Sequence, residues 1–164
     1  MAIPTRRANP ANIKAGARTF FVTSSAWRKQ NLLQSGRAAE LFLRILYDYR
    51  GQNKFRLHEF VVMPDHFRLL MVEPAVDTAA NSIEMLQQRY QRRYNTSARS
   101  TEQVWESRYS DVHVFGPQRI AAQLEAMHQE PVRAGLAASA ADWEWSSARF
   151  YAGLPEGVVT VERA

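Results

Sequence analysis

The apolar positions of this chain follow two periodicities that alternate along it. Residues 18–24, Arg-Thr-Phe-Phe-Val-Thr-Ser, are dense in aromatic and β-branched side chains and predict a first strand. From Gln34 onward Ala38, Leu41, Phe42, Ile45, Leu46 and Tyr49 recur three and four residues apart, which predicts an amphipathic helix ending before Gly51. Residues 57–62 and 67–72 are short apolar runs separated by Met63-Pro64-Asp65. They are too short for independent helices, and Pro64 cannot donate to a central ladder, so they predict two buried strands joined by a turn. A second helical pattern covers residues 78–96, with Ile83, Leu86, Tyr90 and Tyr94 on one face and Arg89, Arg92 and Arg93 near the other. After a polar loop over residues 98–103, the alternation of Tyr109, Asp111, His113 and Phe115 predicts a further strand. Pro117 opens a last helix with the stripe Ile120, Leu124 and Met127. That helix is expected to stop before Pro131 and to be followed by a short turn ended by Gly135. Trp143 and Trp145 are expected to anchor the end of the chain onto the domain.

Strand, helix, strand, strand, helix, strand, helix is the order of a ferredoxin-like α+β domain, an antiparallel sheet with helices on one face. The other face is then available to a nucleic acid, or to a helix packed across it. His66 and Arg68, two apart on the second strand of the hairpin, project from the same sheet face, with Phe67 and Leu69 on the opposite one. Taken alone, they read equally well as the solvated side of a core hairpin or as part of a site.

Composition narrows the classes. A length of 164 residues, 46% of them hydrophobic, suits one domain with a real core. Residues 1–17, with Pro4, Pro10, Gly16, Arg6, Arg7 and Lys14, read as a flexible basic arm; residues 18–152 form the domain and residues 153–164 a C-terminal tail. The absence of cysteine excludes disulfides and thiolate chemistry and fits a reducing compartment. No run of about 18 apolar residues suggests a membrane span, so a cytoplasmic location without a membrane partner is expected. A net charge of +5 favours a polyanionic partner. Arg89, Tyr90, Arg92 and Arg93 are candidate DNA contacts, the arginines on phosphates and the tyrosine stacked on an unpaired base. A solvated helix face explains the same pattern.

Two separated segments carry a family resemblance. Met63-Pro64-Asp65-His66-Phe67-Arg68 resembles the HUH segment of REP-associated tyrosine transposases, in which Met-Pro-Asn/Asp is followed by His, a large apolar residue and a second His. His128 to Leu136, His-Gln-Glu-Pro-Val-Arg-Ala-Gly-Leu, followed by Asp-Trp-Glu-Trp-Ser-Ser-Ala from Asp142, is similar to the C-terminal signature of the same family. The resemblance spans most of residues 18–152. It implies a ferredoxin-like domain, usually dimeric, that binds single-stranded DNA forming hairpins. It also implies metal-assisted strand cleavage, in which a tyrosine attacks a phosphodiester and stays joined to the 5′ phosphate.

Carried over residue by residue, the first His of that machinery is His66, the second falls on Arg68, the nucleophilic Tyr on Ala126, and the Asn four residues later on Glu130. Alanine offers no nucleophile, and a guanidinium has no lone pair for a metal. The expectation is a DNA-binding protein deficient in strand cleavage and needing no cofactor. The alternative is an active HUH enzyme that uses another residue, with Tyr109 as the candidate nucleophile. Mg²⁺ or Mn²⁺ would then be held by His66 and Glu130 alone. Because Arg68 and Glu130 replace two ligands of one cation with opposite charges, the two side chains are expected to meet directly.

Overall fold

Residues 69–72 are apolar toward both sides, which suits a strand at the middle of a sheet. In the computed structural model, which describes residues 18–53, 55–155, 157 and 159–164, strand β3 (His66–Val72) is paired on both edges. The elements run β1 (Thr19–Ser25), α1 (Gly36–Asn53), β2 (Arg56–Met63), β3, α2 (Ala79–Ala98), β4 (Ser110–Val114), α3 (Pro117–Arg133) and a short α4 (Ala148–Tyr151). The sheet order is β2-β3-β1-β4 and every pairing is antiparallel. This is the ferredoxin-like α+β arrangement that the element order implies. The arm expected over residues 1–17 lies outside the described residues. Among the described residues no helix is long and apolar enough to cross a membrane.

Helices α1 and α2 cover one face together. Phe42, Leu46, Ile83 and Leu86 pack with Val22, Phe67 and Leu69 in one buried cluster, with Phe42 and Phe67 ring centroids 4.3 Å apart. The opposite face is not left open. Helix α3 crosses it, and fully buried Met127 packs against Val61, Met63 and Leu70, with Phe21, Ile120, Leu124 and Trp143 around them. A helix packed across the second face is thus what the chain adopts.

Several boundaries differ from the pattern-based reading. Helix α1 continues through Gly51 to Asn53. One helical glycine costs about 1 kcal/mol relative to alanine, less than the packing of Ile45, Leu46 and Tyr49 supplies to the same helix. Helix α3 likewise runs through Pro131 to Arg133. The proline sits in the last turn, where only one intrahelical bond is lost. Met127 and His128 seat the helix before it, and Ala134 N–H donates to the Glu130 carbonyl at 2.9 Å after it. Gly135, at φ +76°, then reverses the chain. Strand β4 is confined to Ser110–Val114, while Trp105 forms only an isolated bridge to Ala26 and turns its ring into the α1–α2 core.

The C-terminal segment is part of the packing. Trp143 donates to the Val62 carbonyl at 3.0 Å and packs on the α3 side, whereas Trp145 joins the α1–α2 side. The two rings straddle the β2 edge. Val159 and Val161 are buried, and Glu162 N–H donates to the Leu57 carbonyl at 2.9 Å.

A bulge in β2 decides one further contact. Leu57 opposes Met71 but Glu59 opposes Leu70, so His58 is the extra residue and Glu59 is turned to the α3 side. There its carboxylate, fully buried, lies 2.6 Å from His128 Nε2 of α3. Glu59 Oε1 also accepts from the Phe60 N–H at 3.1 Å. The His128 ring has the Tyr151 ring 5.0 Å away and Glu125 4.0 Å from Nδ1. Burial pushes the Glu59 carboxyl up to about 7, against the opposing pull of His128. The sign follows from linkage: a carboxyl whose folded value exceeds its unfolded one holds its proton longer in the native state. Its stabilising contribution is complete at acid pH and is lost as pH rises through about 7. The thermal midpoint of Glu59→Gln, which cannot ionise, should therefore equal that of the wild type near about pH 4.5 and exceed it progressively toward about pH 8. A difference independent of pH would contradict the assignment.

Candidate functional site

The turn at Pro64-Asp65 is pinned from outside the hairpin, its two carbonyls accepting from Leu33 N–H at 2.9 Å and Ala26 N–H at 2.8 Å. This fixes where β3 begins, and the strand's alternation then directs His66 and Arg68 to the α3 side. On α3, Ala126 and Glu130 are four residues apart and share a helix face toward the same place. The sequence separation between Glu130 and its partners is large, yet the contacts are direct. Glu130 Oε1 accepts from Arg68 Nε at 2.6 Å, and Oε2 lies 2.7 Å from His66 Nε2.

The pair expected from the two charge changes is present in a different form. Instead of a two-pronged fork on one carboxylate, Arg68 divides its donors, Nε to Glu130 and Nη1 to Thr23 Oγ1 at 2.8 Å. The guanidinium also lies over the Phe21 ring, 5.6 Å from its centroid. His66 is held at both nitrogens, Nδ1 being 2.6 Å from Asp65 Oδ1. Burial pushes the Glu130 carboxyl up, but the hydrogen bonds and charges of His66 and Arg68 outweigh it and leave Glu130 below the ordinary carboxylate range.

This donor set does not fit a divalent cation. Arg68 brings a permanent positive charge to the centre, the Glu130 carboxylate accepts from the guanidinium and from His66, and His66 therefore presents an N–H rather than a lone pair on that side. Among the described residues no group of three or more His, Cys, Asp or Glu side chains is placed to hold a metal. Ala126, one turn before Glu130, presents a methyl group. Tyr109 lies on the α1–α2 side of the sheet, donates to Glu84 at 2.9 Å, and has its hydroxyl pushed up to about 12 by burial and by Glu84. It is neither near Glu130 nor activated.

The arginine group lies elsewhere. Arg89, Arg92 and Arg93 line one groove with Ile45, Asp48 and Gln52, between α1 and α2 on the far side of the sheet from Glu130. Arg89 lies over the Tyr49 ring at 4.9 Å and donates to Gln52 at 3.0 Å, while Arg92 and Arg93 are exposed. Tyr90 is not with them. Its side chain is fully buried against Phe42, Tyr94 and Trp105, and its hydroxyl donates to the Ala38 carbonyl at 3.3 Å. Base stacking by Tyr90 is therefore corrected to a core role, because a residue inside the helical stripe with Ile83 and Leu86 points inward.

Sequence reasoning missed Thr23, Phe21 and Asp65. Thr23 opposes Arg68 across the β1–β3 ladder, so the antiparallel register supplies the signal that spacing along one strand does not. Because Glu130 serves two partners, Glu130→Ala strands a partly buried guanidinium and leaves His66 without its Nε2 contact. Arg68→Ala leaves Glu130 with His66. Urea unfolding should show a loss of about 1–3 kcal/mol for Glu130→Ala, larger than that for Arg68→Ala. The double variant should be less destabilised than the sum. Additive or reversed losses would refute the shared network.

No family model and no curated protein matches the sequence. Solved structures do. A REP-associated tyrosine transposase bound to a REP hairpin superposes with a TM-score of 0.69 at 18% identity, over 90% of this chain and 92% of that one. A protein from Deinococcus radiodurans R1, provisionally described as a transposase, gives a TM-score of 0.54 at 18% identity, over 76% of this chain and 98% of its own. The four-stranded sheet and its helices therefore have the fold of a REP-associated tyrosine transposase.

Proposed function

We propose that the protein is transposase-like and binds hairpin-forming single-stranded DNA without cutting it. The observation that carries this reading is the Glu130 carboxylate saturated by Arg68 and His66, beside Ala126. At the positions where the family resemblance puts a metal and a nucleophile, this chain has an internal ion pair and a methyl group. The fold shared with a hairpin-bound transposase supports the DNA partner, and so do the net charge of +5 and the arginine-lined groove between α1 and α2.

Mobility shifts with hairpins carrying single-stranded flanks test binding. Affinity should fall linearly in log–log form with salt, because each phosphate contact releases counterions. Replacing Arg89, Arg92 and Arg93 together with alanine should weaken binding and reduce the steepness of that slope by about 2. No shift at low salt would remove the proposal, and an unchanged slope would move the contacts to another surface.

Denaturing gels test cleavage. With Mg²⁺ or Mn²⁺ no covalent protein–DNA adduct should form. Ala126→Tyr and Arg68→His should each remain inert alone, because nucleophile and metal ligand are missing separately. An adduct formed by the wild type, mapped to any tyrosine, would reinstate the cleaving enzyme.

A further inference from the structure

Of the three aromatic residues on α1, Phe42 and Tyr49 belong to the core and Tyr47 does not. It falls outside the buried stripe of the helix and is 52% exposed. Its hydroxyl makes no hydrogen bond among the described residues. Gly51 stands one turn further on, and the space where its Cβ would be is open. Helical side chains lean over the preceding turn, so a larger residue at position 51 would cover the Tyr47 ring. The glycine that weakens α1 thus keeps that ring bare.

Three shallow hollows meet here. Tyr47 and Asp48 line one of about 550 Å³ toward Arg50 and Arg56, and another of about 420 Å³ toward Arg44 and Arg93. Asp48 continues into the groove of about 400 Å³ that holds Arg89, Arg92 and Arg93. Together the three carry six arginines against two carboxylates, Asp48 and Glu162. Glu162 is engaged by Arg50, and Arg44 is paired with Glu40 at 2.7 Å. The side chains of Arg56, Arg92 and Arg93 make no hydrogen bond or ion pair among the described residues. The track runs over the α1–α2 side, away from the small cleft that Arg68, Ala126 and Glu130 line under α3.

Free guanidiniums in a row suit a chain of phosphates, and a bare ring among them suits the face of a base. We propose that this track is a strand-binding surface of its own, in which Tyr47 stacks on an unpaired base. Arg56 on one side and Arg92 and Arg93 on the other hold the neighbouring phosphates. The inference rests on the proposed function for the nature of the polyanion, and it carries the contact past the arginine groove to the start of β2. A base inside a duplex has both faces covered, so the ring selects unpaired nucleotides. Every base has such a face, so it does not read sequence. Because the sheet separates the track from Ala126, a strand held there does not depend on the chemistry missing at that position.

The experiment uses the full chain with fluorescent oligothymidylate, the same oligomer carrying 5-iododeoxyuridine, and a polyglutamate competitor. Irradiation of the iodinated complex should crosslink Tyr47. In anisotropy titrations Tyr47→Ala should bind oligothymidylate about tenfold more weakly, while Tyr47→Phe, which keeps the ring face, stays within about twofold of the wild type. Gly51→Leu should separate binding from stability: its thermal midpoint should rise, because a helical glycine is removed, while its affinity falls severalfold as the leucine covers the ring. Arg56→Ala should reduce the log–log salt slope by about 0.7, and Arg108→Ala, exposed and outside the track, should leave it unchanged. If polyglutamate competes as well as oligothymidylate itself, or if Arg108→Ala matches Arg56→Ala, the surface answers to charge alone and the stacking site is overturned. If hairpins bind but Tyr47→Ala and Gly51→Leu hold oligothymidylate like the wild type, the inference falls and the proposed function survives. If oligothymidylate crosslinks to Tyr47 but no hairpin shifts, the track stands and hairpin binding falls.

Discussion

The seat of α3 on the sheet rests on two carboxylates that work in opposite senses. Glu130 leaves the helix to meet Arg68 and His66 on β3, and Glu59 leaves β2 to meet His128 on the helix. Met127, between His128 and Ala126 in sequence, fills the apolar space with Val61, Met63 and Leu70. Burial of apolar surface drives the docking but does not fix its register. The charged contacts do that, since a shift of α3 by a turn strands a buried carboxylate on each element. The cleft beside Ala126 exists because the helix is held there.

The order of elements and the identity of the central hairpin were legible because their periodicities are unambiguous and Pro64 marks the turn. The side chosen by α3 was legible only as one of two options. Its stripe of Ile120, Leu124 and Met127 is apolar enough to pack on either face, and the deciding partners, Arg68 and Glu59, are far away in sequence. The Glu59 contact also depends on a bulge at His58, which changes the parity of β2 without any turn residue to announce it. Gly51 and Pro131 were over-read as stops, since local propensity yields to packing when the flanking residues are well seated.

Within the candidate site, opposite charge types at Arg68 and Glu130 were enough to foresee their meeting. The division of Arg68 between Glu130 and Thr23 was not, because it needs the cross-strand register. Tyr90 shows the opposite failure. An aromatic beside arginines suggested base stacking, yet the same helical period that groups Tyr90 with Ile83 and Leu86 buries it, while Arg92 and Arg93 remain outside. Phase on the helix carried more information than proximity in sequence.

The returning C-terminal chain also changes how the sheet meets other chains. Val62 N–H donates to Trp145, Ser147 N–H to Phe60, and Glu162 N–H to Leu57, so the outer ladder groups of β2 are occupied at both ends of the strand. Strand β4 closes the other side of the sheet and, among the described residues, pairs only with β1. An invading strand can therefore add at one border alone. That border is short, and it carries Asp111, a charge that discourages stacking of like edges. The segment that binds the end of the chain to the domain thus doubles as a guard against self-templated growth of the sheet.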